Sequence, residues 1–88
     1  MMKLNENRLS DYEFTEDMIF VISLKQRENE NGYRLSYEET ASYALLAYGK
    51  ALNKAAVDGK GLDWTIDSII VKDTLKNYIQ TLERYQTD

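Results

Sequence analysis

The side chains that could do chemistry in this 88-residue chain are carboxylates, tyrosines, lysines and serines, because it contains neither histidine nor cysteine. That removes the commonest general base near neutral pH, the thiolate nucleophile and the usual zinc ligands. The tightest acid pair on the central element is Glu38 with Glu39. Adjacent residues of a helix point about 100° apart, so these two do not converge on one substrate atom. We therefore expect no enzyme, with no catalytic residue, no cofactor, no metal and no small-molecule substrate.

Two glycine-containing stretches resemble ligand loops only in outline. Asp58-Gly59-Lys60-Gly61-Leu62-Asp63 puts Lys60 where a calcium loop needs an oxygen ligand, and no acid follows at its twelfth position. Gly59-Lys60-Gly61 lacks the preceding strand and the glycine spacing of a phosphate-binding loop. Both read more simply as the end of a helix.

Charge disfavours nucleic acid and anionic membranes as partners. The net charge is −4 and the pI is about 4.8, which repels phosphate. The excess is local: residues 1–44 hold nine acids and five bases, whereas 45–88 hold six of each. Ala55 and Gly59 have helix-turn-helix spacing, but the second helix would then bring Asp63 and Asp67 to the phosphates. The alternative to a protein-binding role is a nucleic-acid-linked regulator. It would contact DNA through Lys50 with Lys54 and Lys72 with Lys76, or imitate DNA through the acids between Asp11 and Asp17.

The elements that must position these groups read as helical. Ser36-Tyr37-Glu38-Glu39 is a capping-box pattern, and Asp58-Gly59 is a stop. Between them the spacing predicts a central helix over Tyr37–Val57, about 30 Å long. Its apolar stripe runs through Tyr37, Ala41, Ala44, Leu45, Tyr48, Ala51, Leu52, Ala55 and Ala56, while Tyr43, Leu46 and Val57 lie on the back beside Lys50. Gly49 suggests a close crossing with another element. A first helix is expected over Tyr12–Asn29, a turn of helix near Asp63–Ile70 and a last helix over Asp73–Gln86, with a break near Val71–Asp73. The expected fold is an all-α three- to four-helix bundle, a single helical domain over 1–88. The alternative is α+β with a β-hairpin at about 18–37, since Met18–Leu24 is rich in β-branched and aromatic residues and Asn31-Gly32 suits a turn.

Gly32-Tyr33-Arg34-Leu35-Ser36-Tyr37-Glu38-Glu39, with Asp58-Gly59-Lys60 beyond it, resembles the loop, helix and turn near the start of urease gamma subunits. No function is carried across from that resemblance.

Apolar groups on the back of a helix need cover. The sequence therefore points to a small non-enzymatic protein acting through protein–protein contacts, as an adaptor, inhibitor or modulator of the kind encoded by phages and mobile elements. The interface expected is Tyr43, Leu46, Lys50, Val57 and Trp64, used by another protein or by a second copy in a homodimer. With no basic-then-apolar leader at Met1 and no apolar run long enough to cross a bilayer, a cytoplasmic location is expected.

Overall fold

The computed structural model describes residues 2–86. The chain forms β1 (Met2–Lys3), a 3-10 segment (Glu6–Asp11), β2 (Glu13–Gln26), β3 (Leu35–Tyr43), α1 (Ala44–Val57), β4 (Trp64–Thr74) and α2 (Leu75–Gln86). The strands make one antiparallel sheet in the order β1-β4-β2-β3. The all-α bundle, and with it the single helical domain, is therefore not the fold. The architecture is a mixed α+β one, with a hairpin that extends well beyond 18–37.

Two expected helical elements, and the first part of the central helix, are replaced by strands. Met18–Leu24 lies within the long central strand β2, where β-branched and aromatic side chains pack well on a pleated surface. Ser36–Tyr43 belongs to β3, so the capping box is not used as a cap and the likeness to a loop and helix fails there. Trp64–Thr74 is β4 rather than a turn of helix. The central helix survives in shortened form, starting at Ala44 after Tyr43, which caps it without a side-chain hydrogen bond.

The end of α1 follows the sequence. Gly59 takes φ 75°, and the amides of Gly59 and Lys60 donate to the carbonyls of Ala56 and Ala55 at 3.1 and 2.9 Å. That is the left-handed stop that glycine makes without a Cβ penalty. Gly49, by contrast, faces open space and marks no crossing.

Packing follows from the two periodicities. Phe20, Ile22 and Leu24 alternate along β2 and are fully buried on the face that α1 covers, together with Ile69 and Val71 of β4. The helix contributes Ala44, Ala47, Ala51 and Ala55, all fully buried. Small side chains let the helix lie close to the sheet, and the strands supply the bulk. Leu4 and Leu9 close one end of this core.

The opposite face of the sheet carries no such cover along most of its length, and its residues are mainly polar. Irregularities in the pairing of β2 with β4 fall between Ile19 and Phe20 and between Ser23 and Leu24. They leave Lys72 and Asp67 as the extra residues and re-aim both. Asp67 accepts from Ser23 Oγ at 3.3 Å and lies 3.4 Å from Arg34 Nε. Lys72 Nζ lies 3.4 Å from Glu38 and 5.1 Å from the centre of the Tyr78 ring. Ile19 is buried on this side, apart from the main cluster. α2 leaves β4 here with Thr74 accepting from the Asn77 amide at 3.1 Å, an N-cap.

Candidate docking edge

One flank of α1 overhangs the outer edge of the sheet. Lys50, Lys54 and Asp58 form a single row at i, i+4 and i+8, and each reaches β3. Lys50 Nζ donates to the Thr40 carbonyl at 2.6 Å, Lys54 Nζ stands 3.0 Å from Glu39 Oε2, and Asp58 accepts from the Tyr37 hydroxyl at 3.3 Å. Partial burial raises the Tyr37 pKa above its usual value, and the charge and hydrogen bond of Asp58 push it in the same direction.

The same flank carries Leu46 and Val57, exposed by 37% and 76%, and Tyr43, at the end of β3 just before the helix, is 41% exposed. Of the five residues expected at an interface, Leu46, Lys50 and Val57 lie on this flank of α1, and Tyr43 ends β3 where the helix begins. Trp64 is not among them. It is buried in the core, its Nε1 donates to the Lys60 carbonyl at 2.9 Å, and its ring meets Tyr33 edge-on at 5.4 Å.

Beneath this flank the backbone of β3 ends the sheet, since among the described residues no strand pairs with its outer side. The alternation of backbone direction identifies which groups are open. The Leu4 amide donates to the Ile69 carbonyl at 2.9 Å, so Ile69 faces β1 and Ile70 faces β2. Val21, paired with Ile70, then faces β4, whereas Phe20 and Ile22 face β3. Their partners Glu39 and Tyr37 point inward, which leaves the N–H and C=O groups of Ser36, Glu38 and Thr40 pointing out. Lys50 occupies the last of these carbonyls, as its hydrogen bond requires. Charged side chains commonly blunt sheet edges in this way. Here the guard covers Thr40 and leaves Ser36 and Glu38 open.

Sequence reasoning missed the β3 residues of this site, because Ser36 and Glu39 mimic a helix start. The available signal was the row Lys50, Lys54 and Asp58, whose common side on the helix implies one shared neighbour.

Elsewhere, a cleft of about 300 Å³ lies between the β2–β3 turn and the α1–β4 loop, lined by residues including Arg27, Glu28, Lys60, Asp63 and Trp64. Its charges are mixed, and Arg27 is engaged with the backbone of Asp63 and Trp64 at 3.0 and 3.4 Å. Among the described residues no three acidic side chains converge as a metal site, and no helix is long and apolar enough to cross a membrane. No family model matches the chain, and neither a curated protein nor a solved structure matches it.

Proposed function

We propose that this protein works without catalysis, by binding another protein chain along the flank of α1 and the neighbouring edge of β3. The observation that carries the reading is the placement of exposed Leu46 and Val57 on the helix flank beside the edge strand β3. Apolar side chains next to open backbone groups supply the two ingredients of strand-addition recognition: main-chain hydrogen bonds for affinity and side-chain contacts for selectivity. A DNA-contacting role through Lys50 and Lys54 has less support, because both ammonium groups are engaged within the molecule, by Thr40 and Glu39.

The test compares the wild-type chain with a Leu46→Glu, Val57→Glu variant whose circular dichroism is unchanged. A protein recovered from the source cell on the wild type is purified, and its affinity for both forms is measured by calorimetry. The expected result is a loss of at least about tenfold in the variant, the equivalent of removing about 1.4 kcal/mol. Equal affinity for both forms would exclude this flank as the binding surface.

A further inference from the structure

We infer that the occupant of the β3 edge is a second copy of this chain, paired antiparallel through β3 about a two-fold axis at Ser36; this rests on the reading of that edge as a binding surface. Ser36, Glu38 and Thr40 point their backbone groups outward, so a two-fold axis passes either through one of these hydrogen-bonded positions or through a non-hydrogen-bonded pair between them or next to them. Of the latter, an axis at Tyr37 or Glu39 draws on the Thr40 carbonyl that Lys50 already holds at 2.6 Å, and an axis at Leu35 sets Glu38 opposite the uncharged Gly32. Each choice has a distinct electrostatic consequence. Centring on Thr40 requires Lys50 to release a carbonyl it holds at 2.6 Å. Centring on Glu38 sets two carboxylates directly opposite one another, which is destabilising.

Centring on Ser36 avoids both conflicts. It places Arg34 opposite Glu38 of the other copy, twice by symmetry, and sets Leu35 beside the other Tyr37. The charges already lie on the correct face. Arg34 reaches Asp67 and Glu38 reaches Lys72 across the polar side of the sheet, each at 3.4 Å, so the pairing extends an existing alternation of sign. Leu35 and Tyr37 lie on the other face, under α1. The Tyr37 to Asp58 hydrogen bond brings the end of α1 over this part of the strand, so Val57 approaches its own counterpart near the axis. That accounts for an apolar residue 76% exposed in the free chain. The result is an eight-stranded sheet made from two four-stranded ones, with both α1 helices on one face.

The test uses the purified full chain alone. The chain has no cysteine, so Ser36→Cys introduces a single thiol that the axis brings next to its own copy. Opposed residues of a hydrogen-bonded pair have Cα atoms about 5.5 Å apart, within disulfide range. Mild oxidation is expected to give a covalent dimer with Ser36→Cys and none with Thr40→Cys, whose two copies would lie about 26 Å apart along the strands. In sedimentation, Glu38→Arg should weaken the dimer about tenfold, and Arg34→Glu in the same chain should restore it.

A wild-type chain that stays monomeric up to about 1 mM, or one that cross-links through Thr40→Cys in place of Ser36→Cys, overturns the proposal. The calorimetric test with a separate partner is independent of it. A monomer that still binds such a partner refutes self-pairing and leaves the binding surface intact. A Ser36-centred dimer without another partner supports self-pairing by itself.

Discussion

The ammonium of Lys54 on α1 stands 3.0 Å from Oε2 of Glu39 on β3. Glu39 is the one buried charged residue among those described, at 7% exposure. The contact is an ion pair without hydrogen-bond alignment, since that oxygen has no well-directed donor. Removing the cation would leave a carboxylate under the helix with nothing to offset its lost hydration. Lys54→Met is therefore expected to destabilise the fold by about 1–3 kcal/mol. Glu39→Gln in the Lys54→Met chain should recover part of that loss. Urea unfolding of the two single variants and the double variant measures the coupling. No coupling would show that the pair does not hold the helix to the edge strand.

The alanine row of α1 predicts opposite signs for two neighbouring substitutions. Ala51 is fully buried against the sheet, so Ala51→Leu should cost about 1–3 kcal/mol by overpacking. A Cβ at Gly49 would meet no atom within 4 Å, so Gly49→Ala should stabilise the helix by about 0.5–1 kcal/mol. Thermal melting of both variants against the wild type checks the signs.

The Tyr37 hydroxyl has its pKa raised above 10.0 by partial burial and then by Asp58. A group whose folded pKa lies above its unfolded value contributes stability that is complete below the unfolded value. That contribution is lost as pH rises from there through the folded value. Tyr37 should therefore ionise later than a free tyrosine, and stability should fall on the alkaline side of pH 10.0. Asp58→Asn should move the titration back toward the usual tyrosine value. The ultraviolet difference between the wild type and Tyr37→Phe follows it, and an unchanged titration in Asp58→Asn would remove Asp58 as a cause.

Trp64 is the sole tryptophan and is buried with its indole N–H bonded to the Lys60 carbonyl. Its fluorescence should be short-wavelength in the native state and shift red in a single step with urea. Trp64→Phe should cost about 1–3 kcal/mol, because the carbonyl loses its donor. Trp64→Ala should cost more, about 3–5 kcal/mol. A wild-type emission already at the solvent-exposed position would contradict the burial.

The sequence alone determined those features whose partners are near in the chain. The alanine-rich helix with its Asp58-Gly59 stop, the Asn31-Gly32 turn and the last helix all follow from residues within a turn or two of one another, whereas the helix break expected near Val71–Asp73 falls inside β4. The placing of Leu46, Lys50 and Val57 on one side of α1 follows from spacing alone, whereas Tyr43, expected within the same helix, ends β3. What only the tertiary structure decided is the sheet. In β3 the inward residues are Leu35, Tyr37, Glu39 and Ala41, and the charge at Glu39 hides the alternation that would have marked a strand. It is tolerable there only because Lys54, distant in sequence, descends from the helix to meet it. In β2 both Phe20 and its out-of-phase neighbour Ile19 are apolar, since each face finds cover, so the run reads equally as a buried helix. In β4 an extra residue at Asp67 breaks the period outright. A helix closes its hydrogen bonds within itself, whereas a strand satisfies its own only against another strand, and which strand that is depends on the folded whole.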